Sequence, residues 1–208
     1  MKSIIYILIV TTLISCSTKK NIDLKSNNLI SNNFNELEIK DLQLIFDFFI
    51  NQICDSRKKN FKSLNECYLD YCSKIKEQAE TNVEFKTKIN FKQQLKLYNK
   101  IDNSTFKEIW SFHKSLPVGD RQDTLKFLEF NFDGNYIKFL NKFARENKAI
   151  GQYMYSYKQV RGLGPSLVAN LIFNYKSFEI ADIRTKVVIA IHYLTLNDQF
   201  HREEKYLE

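Results

Sequence analysis

Three groups of residues in the 208-residue chain have types that could do chemistry. Cys54, Cys67 and Cys72 could form a disulfide or remain buried free thiols. Cys54 ends one helical pattern and Cys67 begins the next, so a helical hairpin would bring Cys54 close to Cys67 or Cys72. Cys67 and Cys72 lie five apart, about 140° around an intact helix, and cannot bond to each other there. His113, His192 and His201 show neither H-x-x-x-H nor H-E-x-x-H spacing, and no His or Cys pair has the spacing of a metal site. We therefore assign no metal and no cofactor. His192 lies inside a strongly apolar helical pattern and reads as a core histidine.

The third group runs from Tyr153 to Ser166. Tyr153, Tyr155, Tyr157, Lys158 and Arg161 mix aromatic and basic side chains. On a helix Tyr153 and Tyr157 share one face with Val160, and Tyr155 points away as a surface that could stack on a sugar or peptide. Arg161-Gly162-Leu163-Gly164-Pro165 follows. Its amides could meet an anion at a helix start, with Arg161 beside them. Pro165 suits a first helical position, and Gly162 and Gly164 equally suit an ordinary turn. The segment lacks the G-x-x-x-x-G-K pattern and a preceding strand. No G-x-S-x-G element marks a serine nucleophile, and no pair of carboxylates can be placed across a cleft. We assign no catalytic residue.

The elements that must position these groups are mainly helical. The chain has 5 Gly and 2 Pro, too few for a many-stranded fold rich in tight turns. It is 44% hydrophobic with 17 Phe and 11 Tyr, ample for a core. Leu42, Ile45, Phe46, Phe49 and Ile53 form one face of a helix over 36–54, with Leu37, Leu44 and Phe48 as a second. That helix should sit in the middle of a bundle. Ser63 and Glu66 mark a capping box before a helix reaching Ala79. Thr105 and Glu108 mark another, before a helix that ends ahead of Pro117. Residues 83–91 fit a strand or a helix, and we favour a helix over 86–101. Residues 125–143 fit either two helices or a β-hairpin about Asp133-Gly134. The hairpin would pair Glu129 with Lys138 and Phe130 with Ile137. A core helix over 181–200 precedes an exposed tail from His201. The expected fold is one mainly α, bundle-like domain of six or seven helices over 36–208, with at most one hairpin around 125–143.

The net charge of +7 comes from 31 basic residues, of which 25 are Lys and 6 Arg. With 20 Asn beside them, the Lys excess reads as compositional drift. A surface selected for nucleic acid should hold more of the bidentate Arg, and we expect no nucleic-acid partner.

Residues 1–16 are M-K-S-I-I-Y-I-L-I-V-T-T-L-I-S-C. Lys2 is a positive n-region, and Ile4–Ile14 is an apolar stretch too short to span a bilayer. Leu13-Ile14-Ser15-Cys16 resembles the lipobox of bacterial lipoproteins. The resemblance implies cleavage after a signal peptide of residues 1–15 and acylation of Cys16, giving a mature chain of 193 residues and net charge +6. It also implies an oxidising compartment outside the cytoplasm, periplasmic or associated with the outer membrane or cell surface. Ser17, where some such proteins carry Asp, leans toward the outer membrane. Residues 16–35, rich in Asn, Ser and Lys, read as a flexible tether. The leading functional expectation is an envelope lipoprotein that binds another envelope protein. The alternatives are an immunity-type lipoprotein that neutralises a toxin, and an enzyme acting on wall or lipid.

Overall fold

A computed structural model describes residues 22–54, 60–81, 86–114 and 125–204. Among these residues the fold is mainly α, with one two-stranded antiparallel sheet. Helices α1 (Asn28–Ser31), α2 (Glu36–Ile53), α3 (Leu64–Glu80), α4 (Phe91–Tyr98) and α5 (Asn103–Ile109) precede strands β1 (Trp110–Lys114) and β2 (Lys126–Phe130). Helices α6 (Asn135–Phe143), α7 (Lys148–Val160), α8 (Pro165–Asn174) and α9 (Ile183–His201) follow. These nine exceed the expected six or seven, because several are only one to two turns long. No helix among the described residues is long and apolar enough to cross a membrane.

Helix α9 is the central element, buried from Thr185 to Asp198 on every side. α2, α4 and β2 pack against it. Several of its buried polar residues are met by partners from neighbouring elements. The Trp110 indole N–H donates to Thr195 Oγ1 at 2.7 Å. Asn197 donates to Gln94 Oε1 at 2.8 Å, and Gln94 donates to the Leu194 carbonyl at 2.8 Å. Asp198 holds Arg202 in a two-pronged ion pair with both N–O distances 2.7 Å.

Helix α2 starts where expected. The Asn35 side chain accepts from the Glu38 N–H, and Glu38 accepts from the Asn35 N–H, which closes a capping box. Its position is not as expected. One apolar face is buried, but Leu37 is 45% exposed and Leu44 38%. α2 therefore lies at the side of the domain, not in its middle.

Four further expectations are corrected. Residues 22–35 do not form a free tether, because Leu24, Ile30 and Phe34 are buried in the core. Two short turns, Leu24–Ser26 and α1, are capped by Asp23 and Asn27 side chains and lie against α2. The helix expected from Thr105 begins earlier, under an Asp102 cap, and stops at Ile109. Thr105 is buried and caps nothing. Residues 86–90 form no helix, with Lys88 at φ 60°, and the helix there covers Phe91–Tyr98 only. Val83, Phe85 and Pro117 lie outside the described residues. The tail after His201 is not free: the Lys126 N–H donates to the Glu204 carbonyl at 2.8 Å, extending the edge of β2.

The stretch 125–143 combines both readings. β2 lies inside it, but its partner is β1, with Trp110 opposite Phe130 and Ser111 opposite Glu129. Asp133-Gly134 opens α6 instead of reversing a hairpin. Gly134 has φ −74°, outside the positive-φ range that a two-residue hairpin turn demands. Glycine is required there by proximity: a Cβ would stand 2.3 Å from the Glu108 carbonyl oxygen. Glu108 then accepts from the Asn135 N–H at 2.7 Å, capping α6 from α5.

Candidate functional site

The aromatic-basic segment and the glycine pair fold together as the α7–α8 hairpin. Asn147 caps α7 by accepting from the Ile150 N–H. Tyr153 and Tyr157 fall on its buried face, and Tyr155 is 68% exposed. Val160, expected beside the buried pair, is 56% exposed because the helix is ending there. Arg161 takes φ 51° and terminates α7, with its N–H bound to the Tyr157 carbonyl at 2.7 Å. Pro165 then occupies the first turn of α8.

The anion that meets this turn is one of the chain's own. The Leu163 N–H donates to Glu129 Oε2 at 2.9 Å. A Cβ at Gly162 would stand 3.0 Å from Glu129 Oε1, so the glycine lets the carboxylate come close. Gln199 of α9 donates to Oε1 at 3.2 Å. Arg161 turns elsewhere, with its guanidinium 4.9 Å from the centre of the Phe132 ring. Of the expected anion group Arg161, Gly162 and Gly164, therefore, the loop receives an internal carboxylate and Arg161 takes no part. No basic side chain contacts Glu129 directly in this cluster, and burial pushes its pKa up to about 7 against the hydrogen bonds that hold it. The hairpin alternative for 125–143 would set Glu129 opposite Lys138 instead. Nothing local in the sequence marks it, because its partners lie 34 and 70 residues away.

On the outer side of the same hairpin lies an open groove of about 800 Å³. Helix α7 contributes Lys148, Gln152, Tyr155 and Ser156. Asn170 and Asn174 of α8, with Ser177, complete the lining. No hydrogen bond among the described residues engages the side chains of Gln152, Tyr155, Ser156 or Asn170. This differs from the buried amides of Gln94 and Asn197, which are tied to each other. The groove holds three amides and the Ser156 hydroxyl free to donate and accept, an aromatic ring, and one cation. With no carboxylate or imidazole in its lining, its chemistry is recognition of a polar surface by hydrogen bonding and stacking.

The remaining candidates are structural. His192 is fully buried, shares a 2.9 Å hydrogen bond with the Tyr153 hydroxyl through Nδ1, and is held neutral by burial, which lowers its pKa to about 3. His113 pairs with Ser111, and His201 with the Asn197 carbonyl. Cys54 and Cys67 are joined in a disulfide with their Cα atoms 5.6 Å apart. Cys72 is a buried free thiol whose pKa burial pushes up to about 12. Among the described residues no group of three His, Cys, Asp or Glu could hold a metal ion. Cys16 lies outside the described residues. No protein-family model, curated protein or solved structure matches the chain.

Proposed function

We propose that the chain is a lipid-anchored protein of the bacterial envelope that binds another envelope protein through the α7–α8 face. The observation that carries the binding role is the groove, where Gln152, Tyr155, Ser156 and Asn170 face solvent with no internal partner. Side chains of these types suit a polypeptide surface: amides bracket backbone N–H and C=O groups, and a tyrosine adds flat apolar area with a hydroxyl at its end. The Cys54–Cys67 disulfide supports the compartment, because such bonds persist where thiols are not kept reduced. The signal-like residues 1–16 support the anchor. Several acyl chains on Cys16 would give stable membrane attachment at about 0.8 kcal/mol per buried CH₂.

Crosslinking and pull-down from membranes tests this reading, using wild type, Cys16→Ala and the double variant Tyr155→Ala with Asn170→Ala. The expected result is one stoichiometric protein captured by wild type and lost from the groove variant. Undiminished capture by that variant would remove the groove from the interaction. No capture by any form would replace the protein partner with a glycan, lipid or small molecule. A wild-type chain that fractionates as soluble would refute the anchor.

A further inference from the structure

The twenty-residue tether expected from composition would hold the domain well away from the membrane. The fold leaves no such spacer. Ile22 already packs against the core, and Leu24 is fully buried. Cys16 stands six positions before Ile22, so even a fully extended chain between them reaches at most about 20 Å. If Cys16 carries the lipid, as the proposed function holds, the side of the domain where Ile22 enters is kept within about 20 Å of the bilayer.

That side is built on α2. The Leu24 N–H donates to Gln43 Oε1 at 3.0 Å, and Lys25 pairs with Glu36 at 2.8 Å. Beside this contact runs the exposed stripe Leu37, Lys40, Leu44, spaced i, i+3 and i+7 along one helix face. Two exposed leucines flank a lysine that forms no ion pair among the described residues. Two of the four acids of α2 point into the fold. Glu38 and Asp41 are buried, at 5% and 3% exposure. They are bound to the Asn35 and Asp102 N–H groups. The other two border the stripe, where Asp47 accepts from Gln43 and Glu36 pairs with Lys25 at the surface. The stripe itself thus holds two exposed leucines about one cation unpaired among the described residues, with its bordering acids each held by a neighbour, the pattern of an interfacial face on an anionic membrane.

We infer that the Leu37–Lys40–Leu44 face of α2 docks on the surface of the anionic bilayer that holds the acylated Cys16. The domain is then oriented on the membrane by two contacts, a covalent one and a shallow apolar one. The leucines enter the headgroup boundary, and Lys40 remains at the level of the phosphates.

The test places a tryptophan at the stripe in the full-length, membrane-purified lipoprotein. Leu44→Trp and Phe173→Trp are each reconstituted into vesicles of phosphatidylglycerol and phosphatidylethanolamine with brominated acyl chains, which quench indole at short range. Both positions are exposed, at 38% and 45%, so both variants should fold. Position 173 lies on α8, which packs on α3 and α7. Trp110, the native tryptophan, is 1% exposed and serves as the reference in wild type. The expected result is loss of roughly half of the added emission at position 44, from an insertion of about 5–10 Å, and little loss at position 173. Equal quenching at both positions, or none at 44 in protein that floats with the vesicles, would overturn the docking and leave the anchor intact. Wild type that neither floats nor carries an acyl group on Cys16 would overturn the anchor and this inference with it.

Discussion

Glu129 is the residue whose environment most changes its chemistry. Burial raises its folded pKa to about 7, from an ordinary value of 4.5. Between those values the folded protein holds a proton that the unfolded chain has released. This site's contribution is therefore full below about pH 4.5 and lost as pH rises through 7, an effect on the order of 3 kcal/mol. Urea unfolding of wild type and Glu129→Gln at pH 5 and pH 8 checks it. The wild type should lose more stability than the variant between the two pH values; parallel losses would show that Glu129 does not titrate in this window. Gly134 makes a simpler residue-scale prediction. In Gly134→Ala the new Cβ meets backbone, the Glu108 carbonyl at 2.3 Å, and not the movable end of a side chain. Overpacking of this kind costs about 1–3 kcal/mol, measurable as a lower denaturation midpoint. A midpoint equal to wild type would mean that α5 and α6 can separate without penalty.

At the scale of elements, the amino-terminal turns are part of the fold. A tether would tolerate Leu24→Ala and Ile30→Ala with no measurable change. As buried core residues, each should instead cost about 2–5 kcal/mol, depending on how far the site collapses. Tyr155→Ala, on the exposed face of α7, should change stability by less than about 0.5 kcal/mol, so its effect on partner capture can be read without a folding correction. The helices legible beforehand were those whose signals are local. Glu36 to Ile53 carries two apolar stripes, Ser63 and Glu66 open α3, and Ile183 to Phe200 carries two apolar stripes of its own. The segments misjudged were those decided by distant partners. Trp110–Lys114 continues the pattern of a helix, but it pairs with Lys126–Phe130, and the Trp110 indole reaches Thr195. Thr105 and Glu108 match a capping motif, but Asp102 lies three residues earlier and takes the cap.

At the scale of the whole molecule, the disulfide ties the end of α2 to the start of α3 across a separation of 13 residues. Closing a loop of that size contributes roughly 3 kcal/mol. Replacing both Cys54 and Cys67 with Ala should therefore lower Tm by about 6–12 °C at this chain length, and scanning calorimetry checks it. An unchanged Tm would mean that the bond contributes nothing to the native state. The sequence by itself determined the helical class, through scarce Gly and Pro and 3.6-residue apolar spacing, and the burial of Tyr153, Tyr157 and His192, which follows from their places in apolar stripes. It also carries the lipobox-like pattern ending at Cys16, whose chemistry is read from order along the chain. Only the tertiary structure decided which surfaces remain open. The amides of Gln152 and Asn170 meet across a groove because α7 and α8 fold back on each other. Glu129 fills the turn at Gly162 because β2 runs beside it, and Leu37 and Leu44 stay exposed because α2 is packed on one face. Periodicity along a chain specifies which side chains share a face of their own helix; whether that face is covered depends on elements tens of residues away.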